Sequence, residues 1–116
     1  MQYLLLIYNN DAVLKAASKA DQEAFAKEYG ELNQSLMQSG VVRGTASWPG
    51  RITTVKVRDG EALTTDGPFA ETREGVGGFF LVDVPDLDSA LEIAARIPSA
   101  RAGAVEVRPV IAYPAR

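Results

Sequence analysis

The sequence contains neither cysteine nor histidine among its 116 residues. Without cysteine, the chain cannot form disulfides or thiolate metal sites, and it has no thiol nucleophile. Without histidine, it lacks the commonest general base near neutral pH and the commonest transition-metal ligand, so a Ser-His-Asp triad is excluded. Acid–base chemistry therefore depends on carboxylates, tyrosines, lysines, arginines or a bound ligand. We expect no metal site and no cofactor.

Basic charge is also limited and scattered along the chain. Twelve Lys and Arg residues are interspersed with fifteen Asp and Glu residues, which gives a net charge of −3. Direct nucleic-acid binding would require a basic patch or stripe, so we do not expect it. The apolar N-terminal run Met1–Tyr8 lacks a basic leader and is too short for a membrane span. These features predict a cytoplasmic protein without membrane contact.

The length and composition indicate one globular domain spanning residues 1–116. Hydrophobic residues make up 47% of the chain and charged residues 23%, as in ordinary globular domains. A domain of this size buries about two-thirds of the surface of its unfolded chain and needs no disulfide or metal for stability.

Hydrophobic periodicity predicts the order β-α-β-β-β-α-β, with Val41–Gly44 as a further candidate for a short strand. A helix is predicted over Asp21–Ser39, and a second helix starts after the N-cap Asp86. Asp11–Ala20 fits either a short helix or a loop. The other strands are predicted at Gln2–Tyr8, Ile52–Val57, Glu61–Thr65, Val76–Val84 and Ala104–Val110, and Asp59-Gly60 predicts a tight hairpin turn.

Without the extra hairpin, this order is the split βαβ pattern of ferredoxin-like α+β folds. One antiparallel sheet would carry two helices on one face. The first strand and the strand at Val76–Val84 are apolar on both sides, which predicts a homodimer in which a second subunit covers the other face. Gly30, next to Tyr29 on the apolar side of the long helix, suggests close packing there.

The run Thr65–Glu74 reads TDGPFAETRE, and it resembles the signature of the DGPF branch of the YCII-related proteins. The family motif usually ends in Lys-Glu, whereas this chain has Arg73-Glu74. The similarity extends over most of the chain, including Tyr3–Tyr8, Gly77–Val84, Asp86–Ala90 and Gly103–Val110.

The resemblance implies a ferredoxin-like fold that pairs into a dimeric α/β barrel, with a cleft at or near the dimer interface. Some YCII-type proteins resemble small lyases, including a dehydrochlorinase acting on a chlorinated hydroxyhydroquinone. DGPF-type domains also occur beside, or fused to, extracytoplasmic-function sigma factors. One hypothesis is therefore a homodimer that binds a small molecule in a cleft near the DGPF loop, as a cofactor-free lyase or isomerase. The alternatives are a non-catalytic sensor or partner module linked to such a sigma factor, and a purely structural dimer with no ligand.

Asp66 is the candidate catalytic residue. Classical YCII members carry a His–Asp pair, and since this chain has no histidine, only Asp66 matches. If its carboxylate faces an apolar cleft, desolvation would raise its pKa toward the range of a general base. The alternative, which the frequency of such turns favours, is that Asp66 hydrogen-bonds the backbone of its own Asp-Gly turn.

Six further residues are candidate ligand contacts. Tyr8, Trp48 and Phe69 would form an aromatic wall for a planar ligand, or pack at a dimer interface. Arg73 would bind an anionic group, or pair with a surface carboxylate. Finally, Glu106 and Arg108 share one face of the last strand. They hold a polar ligand inside a barrel or, as we favour, form ion pairs.

Overall fold

A computed structural model describes residues 1–47, 52–67 and 75–111 of the protein. Within these ranges the strands are β1 (Gln2–Asn9), β2 (Val42–Ser47), β3 (Thr53–Arg58), β4 (Glu61–Asp66), β5 (Gly75–Asp83) and β6 (Ala104–Pro109). The helices are α1 (Asp11–Ala16), α2 (Lys19–Ser39), α3 (Leu87–Arg96) and α4 (Ser99–Ala102). The ambiguous segment after the first strand is therefore helical.

Four strands form the main sheet in the order β2-β5-β1-β6, and each neighbouring pair is antiparallel. The two central strands are the two most apolar runs of the sequence, β1 and β5. Each of these two strands is hydrogen-bonded to a neighbouring strand on both sides. A central position in the sheet is typical of strands whose side chains are apolar on both faces. This mixed α+β architecture is consistent with the predicted ferredoxin-like fold.

One strand is more extensive than its sequence indicated. β2 (Val42–Ser47) pairs with β5 at the edge of the main sheet, so the predicted order β-α-β-β-β-α-β lacks one strand. Gly44 and Ala46 have low strand propensity, which made this segment weak as a sequence signal. β2 is a strand because it pairs with β5, which is distant in sequence, so its local residues do not reveal it.

The hydrophobic core lies between one face of the main sheet and the helices α2 and α3. Alternate side chains of β1 point to this face, which buries Tyr3, Leu5 and Ile7. The remaining buried apolar residues are Leu32, Leu36, Phe80, Val82, Val84, Ala90, Ile93, Ala94 and Ile97. The opposite face presents Leu4 and Leu6, which stay half-buried and outside this cluster.

The expectation of close packing at Gly30 is wrong. A Cβ built on this residue would have no heavy atom within 4 Å beyond the backbone of its own helix. Gly30 is exposed, and the only buried residues of α2 are Leu32 and Leu36 in its second half. The fully buried positions of α2 therefore lie in its second half.

The strands β3 and β4 form a separate two-stranded sheet. The Asp59-Gly60 turn joins them with φ values of 52° and 78°, the geometry of the predicted two-residue hairpin loop. All residues of the two strands except Thr54 are exposed, including Val55 and Val57. A two-stranded sheet alone is only marginally stable in water, so this hairpin is a less stable part of the fold than the main sheet.

Candidate functional site

A cleft of about 610 Å³ opens between α2 and the β2–β5 end of the main sheet. Small-molecule sites in proteins typically have volumes of roughly 300–1,000 Å³. The apolar wall includes Ile7, Leu14, Phe25, Tyr29 and Met37, and the polar lining includes Asn9, Asn33, Thr45 and Ser47. The cleft thus combines an apolar body with a few polar groups.

Two glycines of β5 allow the backbone to approach at the floor of the cleft. A Cβ on Gly78 would lie 2.7 Å from the carbonyl oxygen of Ala46, and a Cβ on Gly77 would collide with the side-chain amide of Asn9. The register between β1 and β5 also shifts here, between Ile7 and Tyr8. Glycine within a strand commonly marks such a bulge or close backbone approach.

A chain of hydrogen bonds connects α2, α4 and the end of β1. The hydroxyl of Tyr29 lies 2.6 Å from Oγ of Ser99. The hydroxyl of Ser99 in turn donates to Oδ1 of Asn9 at 2.6 Å. A serine has only one hydroxyl hydrogen, so Tyr29 is the donor to Ser99. Ser99 is 1% exposed and is the buried polar residue of the described core. The network fixes the orientation of the Asn9 amide at the edge of the cleft.

The electrostatics of the cleft favour uncharged groups. Burial of the Tyr29 side chain is the main cause that raises its pKa. Tyr29 therefore keeps its proton at neutral pH and remains a donor. Within the described parts of the chain, no Asp, Glu, Lys or Arg side chain lines the cleft.

Tyr8, Glu106 and Arg108 come together on the open face of the sheet, on the side away from the cleft. Nη2 of Arg108 lies 3.1 Å from Oε2 of Glu106. Hydrogen bonding with Tyr8, and then with Arg108, lowers the pKa of Glu106, whereas the adjacent Glu106 raises the pKa of Tyr8. These three predicted site residues form one polar cluster, separate from the cleft.

Asp66 ends β4 opposite Thr53 and is exposed. The base of the hairpin is closed by two hydrogen bonds around the next residue. The hydroxyl of Thr54 donates to the carbonyl of Gly67, and the Gly67 amide donates to the carbonyl of Ile52, both at 2.6 Å. Asp66 lines none of the three cavities found among the described residues.

The candidates Trp48, Phe69 and Arg73 lie outside the described residues. The DGPF motif leads directly into β5, which begins at Gly75 and pairs there with Asn9. The motif is therefore joined to the chain close to the glycines that form the floor of the cleft.

Sequence reasoning did not single out Asn9, Ser99 or Tyr29 as site residues. Tyr29 was placed only on the apolar side of the long helix. Asn9 and Ser99 are 90 positions apart, so no local spacing connects them. A polar residue such as Ser99, directly after Pro98 at the end of a helix, carries no signal of burial.

The structure of residues 1–47, 52–67 and 75–111 also bears on metal-binding groups and on membrane-spanning helices. No group of three or more acidic side chains in these ranges is arranged to hold a metal ion. None of the helices there combines the length and apolarity that crossing a membrane requires.

The chain is similar to known proteins over almost its whole length, which includes the residues of the cleft and of the open sheet face. The family model of the YCII-related domain matches residues 1–114. An uncharacterised protein of Rhizobium meliloti (strain 1021) is 33% identical over 117 aligned positions, which cover 97% of this chain and 94% of that relative. Because the family match includes every element of the fold, from β1 to β6, the chain belongs to the family of YCII-related domain proteins.

Proposed function

We propose that the protein binds a small molecule in the cleft between α2 and the main sheet. The observation that carries this proposal is the cleft itself, which measures about 610 Å³. Phe25 and Tyr29 form an edge-to-face pair on its wall, with ring centroids 5.2 Å apart. An apolar body with few convergent polar groups is the usual form of a small-molecule site.

The motif TDGPFAETRE supports assignment of the chain to the DGPF branch of its family, and the reaction class that we propose is a cofactor-free lyase or isomerase. In such a reaction Asp66 would be the general base. Its carboxylate is exposed at the end of β4 and does not line the cleft. A general base must lie within hydrogen-bonding reach of the substrate, so a second subunit would have to bring Asp66 to it.

The open face of the main sheet supports a homodimer. Leu4, Leu6, Phe79 and Leu81 share this face, because their positions pair across β1 and β5. They remain partly exposed despite their central place in the sheet. A twofold-related copy presents the same apolar surface, so two sheets packed face to face would form the dimeric α/β barrel.

The alternative function is a cytoplasmic sensor or partner module that serves an extracytoplasmic-function sigma factor. The hairpin favours this alternative, because Val55 and Val57 are 60% and 61% exposed on one of its faces. Exposed apolar side chains clustered on one surface are typical of a protein-binding patch. Failure of the full chain to bind any sigma factor encoded nearby would count against this alternative.

Ligand binding can be tested by a thermal-shift screen of the wild type and two matched α2 variants. Asn33→Trp places a large side chain in the cleft, whereas Gln34→Trp places one on the outer surface of the same helix. We expect compounds that raise the Tm of the wild type to lose this effect in Asn33→Trp and to keep it in Gln34→Trp. The proposal fails if the compounds stabilise both variants equally, or if no compound stabilises the wild type.

Dimerisation can be tested by sedimentation. We expect the wild type to be a dimer at micromolar concentration and Leu6→Arg, which places a charge on the open sheet face, to be a monomer. Val57→Arg on the hairpin is the control, and it should remain dimeric. A monomeric wild type would contradict the proposed barrel.

A further inference from the structure

We infer that the ligand of the cleft is an uncharged molecule with a carbonyl-type oxygen, and that the side-chain amide of Asn9 donates the hydrogen bond that recognises this oxygen. The inference rests on the proposed small-molecule site and specifies its selectivity. It follows from the direction of the hydrogen-bond chain and from the charge and shape of the lining.

The hydrogen-bond chain decides which end of the Asn9 amide is available. Its oxygen is occupied, because it accepts from Ser99 at 2.6 Å, and Ser99 in turn accepts from Tyr29. Its nitrogen lies against Gly77 at the edge of the cleft, where any Cβ would displace it. Among the described residues, none accepts a hydrogen bond from this nitrogen. Asn9 therefore presents N–H donors to the cleft.

The burial of this network gives the donor a fixed direction. Ser99 is 1% exposed and donates to Oδ1 of Asn9, so an amide that turned away would break a hydrogen bond inside the core. An unsatisfied buried polar group carries a substantial free-energy penalty. The raised pKa of Tyr29, which results mainly from burial, keeps a proton at the start of the chain. The Asn9 donor is thus preorganised before any ligand arrives.

The lining argues against an ionised ligand. Within the described ranges, its polar members are neutral amides and hydroxyls, among them Asn33, Thr45 and Ser47. A carboxylate or ammonium group would lose water there without gaining an opposite charge from these described residues, which is unfavourable. The hydroxyl of Thr45 already donates to the carbonyl of Phe79 at 2.9 Å, so Thr45 offers little to an oxygen acceptor. Asn9 remains the oriented donor.

The apolar wall suits a compact ring system next to that oxygen. Phe25 and Tyr29 stand one helical turn apart on α2 in an edge-to-face arrangement, and Ile7 and Leu14 lie on the same cleft surface. Such a wall favours a flat apolar body. An aryl ketone or a similar neutral carbonyl compound combines this body with the acceptor that Asn9 requires.

The test uses four probes of similar size on the full-length, ¹⁵N-labelled protein: acetophenone, ethylbenzene, benzoate and benzylammonium. Titrations are followed by NMR through the backbone amides of the cleft and through the side-chain amide of Asn9. We expect acetophenone to shift the Asn9 side-chain signal and to bind about three- to tenfold more tightly than ethylbenzene, the ratio that one hydrogen bond provides. Benzoate and benzylammonium should bind more weakly than either.

Variants test the roles of the residues. In Asn9→Leu, acetophenone and ethylbenzene should bind equally, because the donor is gone and the apolar wall remains. In Ser99→Ala, where Asn9 loses the group that positions it, the preference for acetophenone should shrink without vanishing. The wild-type titration reads the Asn9 signal directly, so the result does not depend on either variant folding.

The outcomes separate the inference from the proposed function. If none of the probes shifts any cleft resonance, both are wrong. If probes bind in the cleft with no preference for acetophenone, or with a preference for benzoate, the small-molecule site stands and the role of Asn9 is wrong. A shift of the Asn9 side-chain signal by ethylbenzene as large as that by acetophenone would also overturn it.

Discussion

The helices α2 and α3 cover the same face of the same sheet, yet they pack against it very differently. Among the ten residues of α3, Ala90, Ile93 and Ala94 are buried. α2 is 21 residues long, but its buried residues are only Leu32 and Leu36. Small alanines allow a helix axis to come close to its neighbour, whereas Phe25 and Tyr29 of α2 line the cleft.

The difference indicates a division of roles between the two helices of this layer. The α3 side contributes mainly to stability, and the α2 side provides space for a ligand. The α3 side fills its space with side chains and provides a well-packed core. The α2 side leaves an accessible volume whose polar groups are held by a buried serine. Regions that bind ligands are commonly those with less complete packing. The following predictions test this comparison, from the largest expected effect to the smallest.

The largest effect is expected from a cavity on the α3 side. Ile97 is fully buried at the end of α3, so Ile97→Ala should lower the free energy of unfolding by about 2–5 kcal/mol. Phe25→Ala removes a larger side chain from the half-buried wall of the cleft, and we expect it to cost clearly less. Urea denaturation of both variants measures the difference. Equal losses would show that the two sides are packed alike.

A second comparison adds volume instead of removing it. Ala94→Leu on the buried face of α3 should destabilise the protein by about 1–3 kcal/mol, because the added atoms have no space. Gly30→Ala on α2 should stabilise it by about 0.5–1 kcal/mol, since helical alanine is favoured over glycine and the surrounding space is open. Thermal and urea unfolding check both signs. Stabilisation by Ala94→Leu would contradict close packing of α3.

The smallest effect concerns alkaline pH. Burial holds the pKa of Tyr29 above its ordinary value of about 10, so the unfolded chain ionises first as pH rises. The contribution of neutral Tyr29 is therefore complete below about pH 10 and is lost as pH rises through the pKa of the folded state. Tyr29→Phe should cost about 1 kcal/mol at neutral pH through the lost hydrogen bond. The gap to the wild type should narrow above pH 10.

Urea denaturation between pH 7 and pH 11 measures this effect. Ser99→Ala is the matched control, because it removes the same hydrogen bond and leaves Tyr29 and its burial in place. The alkaline loss should persist in Ser99→Ala and be smaller in Tyr29→Phe. If the wild type and Tyr29→Phe lose stability in parallel above pH 10, Tyr29 does not cause the loss.

Much of the fold could be predicted from local sequence. The positions of β1, β5, α3 and β6 follow from hydrophobic periodicity and end signals, and Asp86 caps α3 by accepting from the Ser89 amide at 2.8 Å, as expected. The Asp59-Gly60 turn was equally clear. Prediction failed for the extent of β2 and for the packing at Gly30, because strand pairing and helix–sheet distance depend on residues far away in sequence.

The candidate site was less accessible to sequence reasoning. Glu106 and Arg108 do pair, since residues two positions apart on a strand share a face. The contact of Tyr8 with Glu106 was not predicted. The cleft itself was not located, because its volume depends on how far α2 stands from the sheet. Asp66 was selected from a motif, and the structure places it on the exposed hairpin instead of the cleft lining.

The sequence by itself determined the family, the order of most elements and the absence of thiol and imidazole chemistry, because these depend on composition, short-range periodicity and a contiguous motif. Only the tertiary structure decided that Tyr29, Ser99 and Asn9 form one hydrogen-bond chain. It also decided that the chain ends at a cleft. Contacts between residues 70 and 90 positions apart arise from the packing of helices on a sheet, and no local pattern encodes that distance.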